Sequence, residues 1–87
     1  MLEDFLGQKV VIDFKSEYVA FGTLKRVGDH FLELKGADLH DLRDSDTTRE
    51  IYVAECARTG IKRNRKTVLI NKNEIVAIAK LDEVVEQ

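Results

Sequence analysis

Four cations stand within the five residues Lys62-Arg63-Asn64-Arg65-Lys66, and no acid interrupts them. Cations grouped in this way can neutralise the phosphates of a nucleic acid. Such runs are nevertheless most often solvated loops. The formal net charge of the 87-residue chain is −2, so the chain as a whole does not attract polyanions. Any binding of nucleic acid must therefore depend on a local patch.

Two other groups of reactive side chains are weaker candidates. Asp38, His40 and Asp41 could ligate a metal, but no fourth ligand stands at a recognised spacing. Cys56 could pair with His30 or His40 as a nucleophile and its base, yet a cysteine in an apolar pattern is usually a small buried hydrophobe. We find no glycine-rich phosphate loop and no acid–base pair of carboxylates. The sequence therefore predicts a protein that is not an enzyme and binds no metal or cofactor.

Length and cysteine content narrow the class of protein further. A chain of 87 residues forms one small domain. Such a domain buries only roughly 60–65% of its unfolded surface, which is marginal for an isolated monomer. Cys56 is the only cysteine, and there is neither a signal peptide nor an apolar run long enough to span a bilayer. These features predict a cytoplasmic location and no membrane partner.

The first part of the chain has strand character throughout. Val10, Ile12 and Phe14 alternate with Val11, Asp13 and Lys15, which is the period of a half-buried strand. The segment from Tyr18 to Arg26 is rich in β-branched and aromatic residues, and Gly22 at its centre predicts a bend. A short strand from His30 to Lys35 follows. The short connections predict an antiparallel three-stranded meander over Gly7 to Lys35.

The remaining segments flank this meander. Met1 to Leu6 has the pattern of a one-turn amphipathic helix. Gly36 to Ser45 is acidic and rich in turn residues, so we expect a surface connection there. Two further strands are predicted at Thr67–Ile70 and Ile75–Lys80. The acidic tail from Leu81 to Gln87 is expected to fray.

A helix is predicted between the meander and the last two strands. Thr47 and Glu50 have the spacing of a capping box, and Gly60 stands where a helix commonly ends. We therefore expect a helix over Thr48–Thr59, with a strand over Glu50–Cys56 as the alternative. The apolar face of the helix should contain Val53, Cys56 and Ala57.

Together these elements make a mainly β protein, a small five-stranded bent antiparallel barrel with a short N-terminal helix and a helical insert between strands 3 and 4. Two groups of residues in it have a recognisable spacing. The first group is Gly7, Val10, Ile12, Phe14, Tyr18, Gly22, Leu24, Val27 and the segment from His30 to Leu34. The second group is Ile70-Asn71-Lys72, followed by Ile75 and Ile78. By these spacings the sequence resembles the Sm-like (LSm) family, whose second motif has Arg-Gly where this chain has Asn71-Lys72. The resemblance implies a barrel of the SH3-like or Sm-like type, and a single Sm-like domain over 1–87 with its insert at 36–66.

The resemblance implies that single-stranded RNA binds at the pore, and the basic run predicts a second contact. In the family a base lies between an aromatic residue or histidine, here His30, and the second motif, here Asn71-Lys72. Leu32 stands where the family has an asparagine that reads the base edge. The basic run would then contact RNA at the rim. The expected RNA-binding residues are His30, Asn71, Lys72, Lys62, Arg63, Arg65 and Lys66.

The last two strands predict assembly on physical grounds. A small open barrel leaves two strand edges, and Thr67–Ile70 and Ile75–Lys80 carry no proline and no inward charge to block pairing with another chain. Pairing of different edges is heterologous and closes into a ring where the rotation allows, as the resemblance also implies. The expected interface residues are Val68, Leu69, Ile70, Ile75 and Ile78. We thus predict a homo-oligomeric ring that binds single-stranded RNA. The alternative is an oligomeric scaffold for protein interactions that binds no RNA.

Overall fold

The computed structural model describes residues 1–86 and contains one five-stranded antiparallel sheet. The sheet has the spatial order β4-β3-β2-β1-β5, so β4 and β5 are its edge strands. A 3₁₀ helix precedes β1, and helix α1 lies between β3 and β4, as predicted. The strands and α1 are β1 (Lys9–Phe14), β2 (Tyr18–Val27), β3 (Phe31–Asp41), α1 (Arg49–Thr59), β4 (Arg65–Asn71) and β5 (Ile75–Lys80). The 3₁₀ segments are Leu2–Phe5, Leu42–Asp44, Lys72–Glu74 and Leu81–Glu83.

The sheet is buried on both faces in its central strands. Val10 and Ile12 point into the bent sheet, and Val11 between them points to the opposite face. Two apolar clusters result, which we call the barrel core and the outer cluster. The buried residues of the barrel core are Val10, Ile12, Ala20, Leu24, Leu32, Leu34, Ala37 and Ile70. Those of the outer cluster are Val11, Val19, Phe21, Tyr52, Val53, Cys56 and Leu81.

The bend predicted at Gly22 is present, and it depends on the close approach of β2 and β3. A Cβ atom at Gly22 would lie 3.2 Å from the Cβ of Leu34 and 3.3 Å from the carbonyl oxygen of Lys35. The register between the two strands shifts between Phe21 and Thr23. An added Cβ at this position would therefore require Leu34 or the backbone of β3 to shift by a few tenths of an ångström.

Strand β3 is longer than the sequence predicted. The surface connection expected over Gly36–Ser45 is wrong for its first half, because β3 continues to Asp41. Gly36 adopts a φ of 60°, which glycine tolerates because it has no Cβ, and pairing with β2 continues beyond it. Asp38 is only 1% exposed. The acidic composition that suggested a surface loop therefore includes a carboxylate that belongs to the interior.

The insert covers residues 42–64, a shorter range than the predicted 36–66, and it contains the predicted helix rather than a strand. The N-cap of α1 is Thr48, whose Oγ1 accepts a hydrogen bond from the N–H of Ile51 at 3.3 Å. The assignment of Thr47 as the cap was wrong by one residue. Adjacent threonines are equivalent cap formers in sequence, and only the second has its hydroxyl beside a free N–H of the first turn.

Helix α1 covers the outer face of β1 and β2. Tyr52, Val53 and Cys56 are buried in the outer cluster, whereas Ala57 is exposed. The predicted apolar face is thus confirmed at Val53 and Cys56 and wrong at Ala57, whose place Tyr52 takes. With 11 residues, α1 is too short to cross a bilayer, and no helix within residues 1–86 is long and apolar enough to do so.

The segment after β5 is ordered by packing against the outer cluster. Leu81–Glu83 forms a 3₁₀ turn in which Leu81 is buried, and Val84 packs partly on the same cluster. The expected fraying of Leu81–Gln87 is therefore wrong for these first residues. Gln87 lies outside the described residues.

Candidate nucleic-acid interface

The loop before β3 and the loop after β4 meet at one end of the sheet. Phe31 pairs with Asn71 in the register of the two strands. The backbone N–H of Lys72 donates to the carbonyl oxygen of His30 at 2.9 Å. Three of the predicted RNA-binding residues are thus neighbours, and we call the group of His30, Phe31, Asn71 and Lys72 the loop-end site.

Phe31 is a member of this site that the sequence analysis did not single out. Its side chain is 45% exposed, while Leu32 and Leu34 on the same strand are fully buried. Because side chains alternate along a strand, burial of the two leucines directs Phe31 outward, and this period of two could have identified it. An exposed aromatic ring beside a histidine offers a surface on which bases can stack.

Leu32 contributes nothing polar to the site. It stands where the resemblance places an asparagine that reads a base edge, and it is fully buried in the barrel core. The neighbouring Glu33 is occupied by an ion pair of 2.8 Å with Arg26. A base at the loop end would therefore meet rings and a cation, with little hydrogen bonding to its edge.

Asn71 and Lys72 differ in what they can still offer a ligand. The Oδ1 of Asn71 accepts a hydrogen bond of 2.9 Å from the N–H of Asn73, which caps the 3₁₀ turn after β4. Its side-chain NH₂ group remains as a donor. The pKa of Glu3 lies below its usual value because of its own backbone N–H, then the Met1 ammonium and, to a smaller extent, Lys72. Lys72 itself is half-buried.

The basic run lies at the opposite end of the β3–β4 pair. Phe31 pairs with Asn71 at one end, and Ala37 pairs with Arg65 at the other. The two pairs are six residue steps apart along the strand, which corresponds to about 20 Å. Within one copy of the chain, the predicted rim residues and the loop-end site are therefore two separate surfaces.

Asn64 fastens the middle of the basic run to β3. Its backbone N–H donates to the carbonyl oxygen of Ala37 at 2.8 Å. Its side-chain Oδ1 accepts from the N–H of Leu39 at 3.0 Å, and its Nδ2 donates to the carbonyl oxygen of Leu39 and to Oδ1 of Asp38. The run is therefore not the freely solvated loop that its composition favours.

The side chains considered as metal ligands have structural roles instead. The Tyr52 hydroxyl donates to Oδ2 of the buried Asp38 at 2.6 Å. Burial, followed by this hydrogen bond, raises the pKa of Tyr52, so the hydroxyl remains a donor. The His40 ring stacks on Tyr52 with centroids 4.0 Å apart. The hydrogen bonds from Arg43 hold the pKa of Asp41 below its usual value.

Cys56 is buried against the sheet and is not placed to act as a nucleophile. Its side chain is 1% exposed, and burial raises the pKa of its thiol to about 11. The reactive form of a cysteine is the thiolate, which is scarce at neutral pH for such a group. No three His, Cys, Asp or Glu side chains converge as a possible metal site in the part of the chain that the structure describes.

Both edge strands of the sheet pair on one side only. Leu69 on β4 is 56% exposed and Val76 on β5 is 66% exposed. Ile70, by contrast, is a buried member of the barrel core, so only its backbone is available to a neighbouring chain. The other predicted interface residues pack partly against the barrel core and are Val68, Ile75 and Ile78.

Solved structures with this arrangement of strands provide the decisive comparison. The Sm protein of Pyrococcus abyssii in complex with a uridine heptamer is similar to this chain with a TM-score of 0.63, over 91% of this chain and 90% of that one, at 15% identity. The chain has the Sm-like fold. An Sm-like protein of Archaeoglobus fulgidus is similar with a TM-score of 0.61, over 92% and 88% of the two chains, at 17% identity.

A third structure with the Sm-like fold comes from a larger assembly. A chain of the NatC complex bound to CoA is similar with a TM-score of 0.61, over 95% of this chain and 86% of that one, at 15% identity. No protein-family model matches the chain. A comparison with curated protein sequences also gives no match. The chain thus shares the Sm-like fold with these structures although its sequence is only 15–17% identical to theirs.

Proposed function

We propose that this protein is an Sm-like ring subunit that binds single-stranded RNA and catalyses no reaction. The observation that carries the proposal is the hydrogen bond between Lys72 and His30, which brings two loops and four candidate side chains together. One similar Sm protein is in complex with a uridine heptamer. Rings that stack, a cation and an amide donor form a surface suited to single-stranded nucleic acid.

The loop-end site should bind RNA with little preference between bases. Leu32 lies in the barrel core, and the Oδ1 of Asn71 is engaged by Asn73, so few groups remain to read a base edge. Stacking tolerates every base because each has an aromatic face. We therefore expect similar affinities for oligo-U and oligo-A, with phosphates contacted by Lys72 and by Arg63, Arg65 and Lys66 of the basic run. Lys62, the remaining cation of the run, has its ammonium over the Tyr52 ring and is not expected to contact phosphate.

Ring formation is supported by the two free strand edges. Leu69 and Val76 expose apolar surface on opposite edges, and apolar edges without a blocking charge are templates for pairing with another copy. A contact between β4 of one copy and β5 of the next would be heterologous, and such contacts close into a ring where the rotation between neighbouring copies allows. We also propose a cytoplasmic location, because the single cysteine is a free buried thiol.

Fluorescence polarisation with labelled oligo-U and oligo-A at low and moderate salt tests RNA binding. Wild type should bind both, and Phe31→Ala and Lys72→Ala should weaken binding of both. Lys9→Ala is the matched control, since Lys9 is an exposed lysine at the start of β1 and lies outside both candidate surfaces. Absence of binding at low salt, where phosphate contacts are strongest, would end the proposal.

A second function is an oligomeric scaffold for protein partners that binds no RNA. The similarity to a chain of the NatC complex favours it, together with the net charge of −2. Purified protein discriminates between the two functions. An ultraviolet absorbance ratio typical of pure protein, unchanged by nuclease treatment, combined with absence of oligonucleotide binding, would favour the scaffold.

A further inference from the structure

An open groove of about 630 Å³ lies where the basic run meets β3. Its charged lining consists only of cations, namely Lys35, Arg63, Arg65 and Lys66, and Gly36 lies between them. No carboxylate and no aromatic ring lines the groove. Lys35 lies on β3 about 30 residues before the run, so no sequence pattern connected it with these arginines.

None of the four groove cations forms an ion pair with a carboxylate within residues 1–86. Other arginines of the chain do so, and the pairs involve Arg26, Arg43, Arg49 and Arg58. Like charges on neighbouring positions of a strand pair repel one another. A bound anion would offset this repulsion. The chain contains 16 acidic residues, but none of them forms an ion pair with the groove cations within residues 1–86.

The groove is built in advance rather than assembled by a ligand. Asn64 lies between Arg63 and Arg65 and is fixed to β3 by four hydrogen bonds through its backbone and side chain. Arg63 lies directly over Gly36, where an added Cβ would come within 3.0 Å of the Arg63 Nε. A site that is already ordered loses less conformational entropy when a ligand binds.

Lys62 belongs to the same run but not to the groove. Its ammonium lies 5.7 Å from the centre of the Tyr52 ring, which is a cation–π contact. The side chain does not line the groove. The run therefore divides into one cation that packs on the insert and three that face the groove with Lys35.

We propose that this groove binds the backbone phosphates of single-stranded RNA without regard to base identity. The inference rests on the proposed function and separates a second contact surface from the loop-end site. Guanidinium groups form paired hydrogen bonds with phosphate oxygens, and a groove without rings offers no stacking surface for bases. The separation of about 20 Å means that only an RNA long enough to reach both surfaces would occupy them together.

The salt dependence of RNA affinity tests this assignment. Each phosphate contact to a single strand contributes about 0.7 to the slope of log K against log salt. In Lys35→Ala and in Arg63→Ala the slope should become shallower by about this amount, equally for oligo-U and oligo-A. Lys62→Ala is the matched control and should leave the slope unchanged. A slope of Arg63→Ala equal to that of Lys62→Ala, or a loss that depends on the base, would overturn the assignment.

Asn64→Ala tests whether the groove must be held in place. The substitution removes no charge, yet the slope should become shallower because Arg63 and Arg65 lose their fixed position. Destabilisation of the fold alone would not change the slope. An unchanged slope in a folded Asn64→Ala protein would contradict the preorganised groove.

Failure of the groove and failure of RNA binding give different results. Wild-type binding that Lys35→Ala and Arg63→Ala leave intact would overturn the groove and leave the loop-end site standing. A titration with inorganic tripolyphosphate, followed by NMR shifts of the Gly36 and Arg65 amides, tests the groove without RNA. Shifts that Arg63→Ala abolishes would support the groove, and their absence in wild type would count against it. Wild type that takes up tripolyphosphate but binds no RNA would overturn the assignment to RNA.

Discussion

Replacing Tyr52 with phenylalanine isolates one hydrogen bond that fastens the helical insert to the barrel. The Tyr52 hydroxyl donates to Oδ2 of Asp38 at 2.6 Å. Asp38 is 1% exposed and receives its other hydrogen bond from Asn64. In Tyr52→Phe the ring and its packing remain, while a buried carboxylate oxygen loses its donor.

The size of the effect follows from the burial of that carboxylate. A buried hydrogen bond to a charged group contributes about 1.5–3 kcal/mol, and the oxygen left without a donor cannot turn to water. We therefore expect a loss of about 2 kcal/mol in the free energy of unfolding. For a domain of this size, this loss should lower Tm by about 10 °C.

Thermal unfolding followed by circular dichroism measures the effect, with Tyr18→Phe as the matched control. Tyr18 is half-buried, and its hydroxyl has no hydrogen-bond partner within the described residues. Loss of that hydroxyl should change stability by less than about 0.5 kcal/mol. A Tyr52→Phe protein that melts within about 2 °C of Tyr18→Phe would refute the role of the hydrogen bond.

Three other predictions concern the cap, the buried thiol and the strand edges. Thr48→Ala should lower the free energy of unfolding in urea by about 1 kcal/mol, while Thr47→Ala should have little effect. A larger loss of stability for Thr47→Ala than for Thr48→Ala would show that Thr47 is the cap. Burial raises the pKa of Cys56 from 9.0 to about 11. The folded state therefore holds this proton more tightly than the unfolded state, and its contribution to stability is complete below about pH 9 and decreases as the pH rises towards about 11. In Cys56→Ala the free energy of unfolding should decrease less with rising pH than in wild type. Identical profiles of the free energy of unfolding against pH for the two proteins would contradict this prediction. Leu69→Lys and Val76→Lys should lower the mass measured by light scattering without loss of folding, whereas a wild type that is a stable folded monomer would contradict ring formation.

Substitutions at Ile70 cannot test the edge in this way. Ile70→Lys would place a charge in the barrel core, because Ile70 is buried there. The expected result is unfolding, which says nothing about assembly. Leu69 and Val76 are better positions because both are more than half exposed.

The elements that the sequence predicted well are those whose causes are local. The position of β1, the glycine at the bend of β2 and the limits of β5 all depend on neighbours within a few residues. The half-buried character predicted for β1 is wrong, because Val11 is buried on the face opposite to Val10 and Ile12. The helical insert is local too, since a cap and Gly60 bound it. The choice between two adjacent threonines as the cap depends on the direction of the entering chain, which composition does not reveal.

The errors in β3 and in the basic run have distant causes. Asp38 can be buried only because Tyr52 and Asn64, 14 and 26 positions further along the chain, donate to it. Without knowledge of these partners, an acidic segment after a glycine is correctly expected at the surface. Asn64 likewise orders the run through Leu39, 25 positions earlier. Residue patterns alone do not contain such pairings.

The candidate sites divide in the same way. The neighbourhood of His30 and Lys72 followed from the resemblance to a known fold, and strand alternation would have added Phe31. The groove required the register of β3 and β4, because Lys35 and Arg65 come together only when Lys35 pairs with Thr67 and Ala37 with Arg65.

The insert is positioned so that both edges of the sheet remain open. Helix α1 packs on the outer cluster, whose strand residues within 1–86 come only from β1 and β2, and Tyr52 joins it to β3. These three strands are the interior of the sheet, in the order β4-β3-β2-β1-β5. The helix thus covers a face that no edge pairing uses, and the backbone edges of β4 and β5 stay open. An insert packed along β4 would have blocked both the edge and the groove beside it. The same placement of α1 therefore leaves both edge strands, the loop-end site and the basic groove accessible at once.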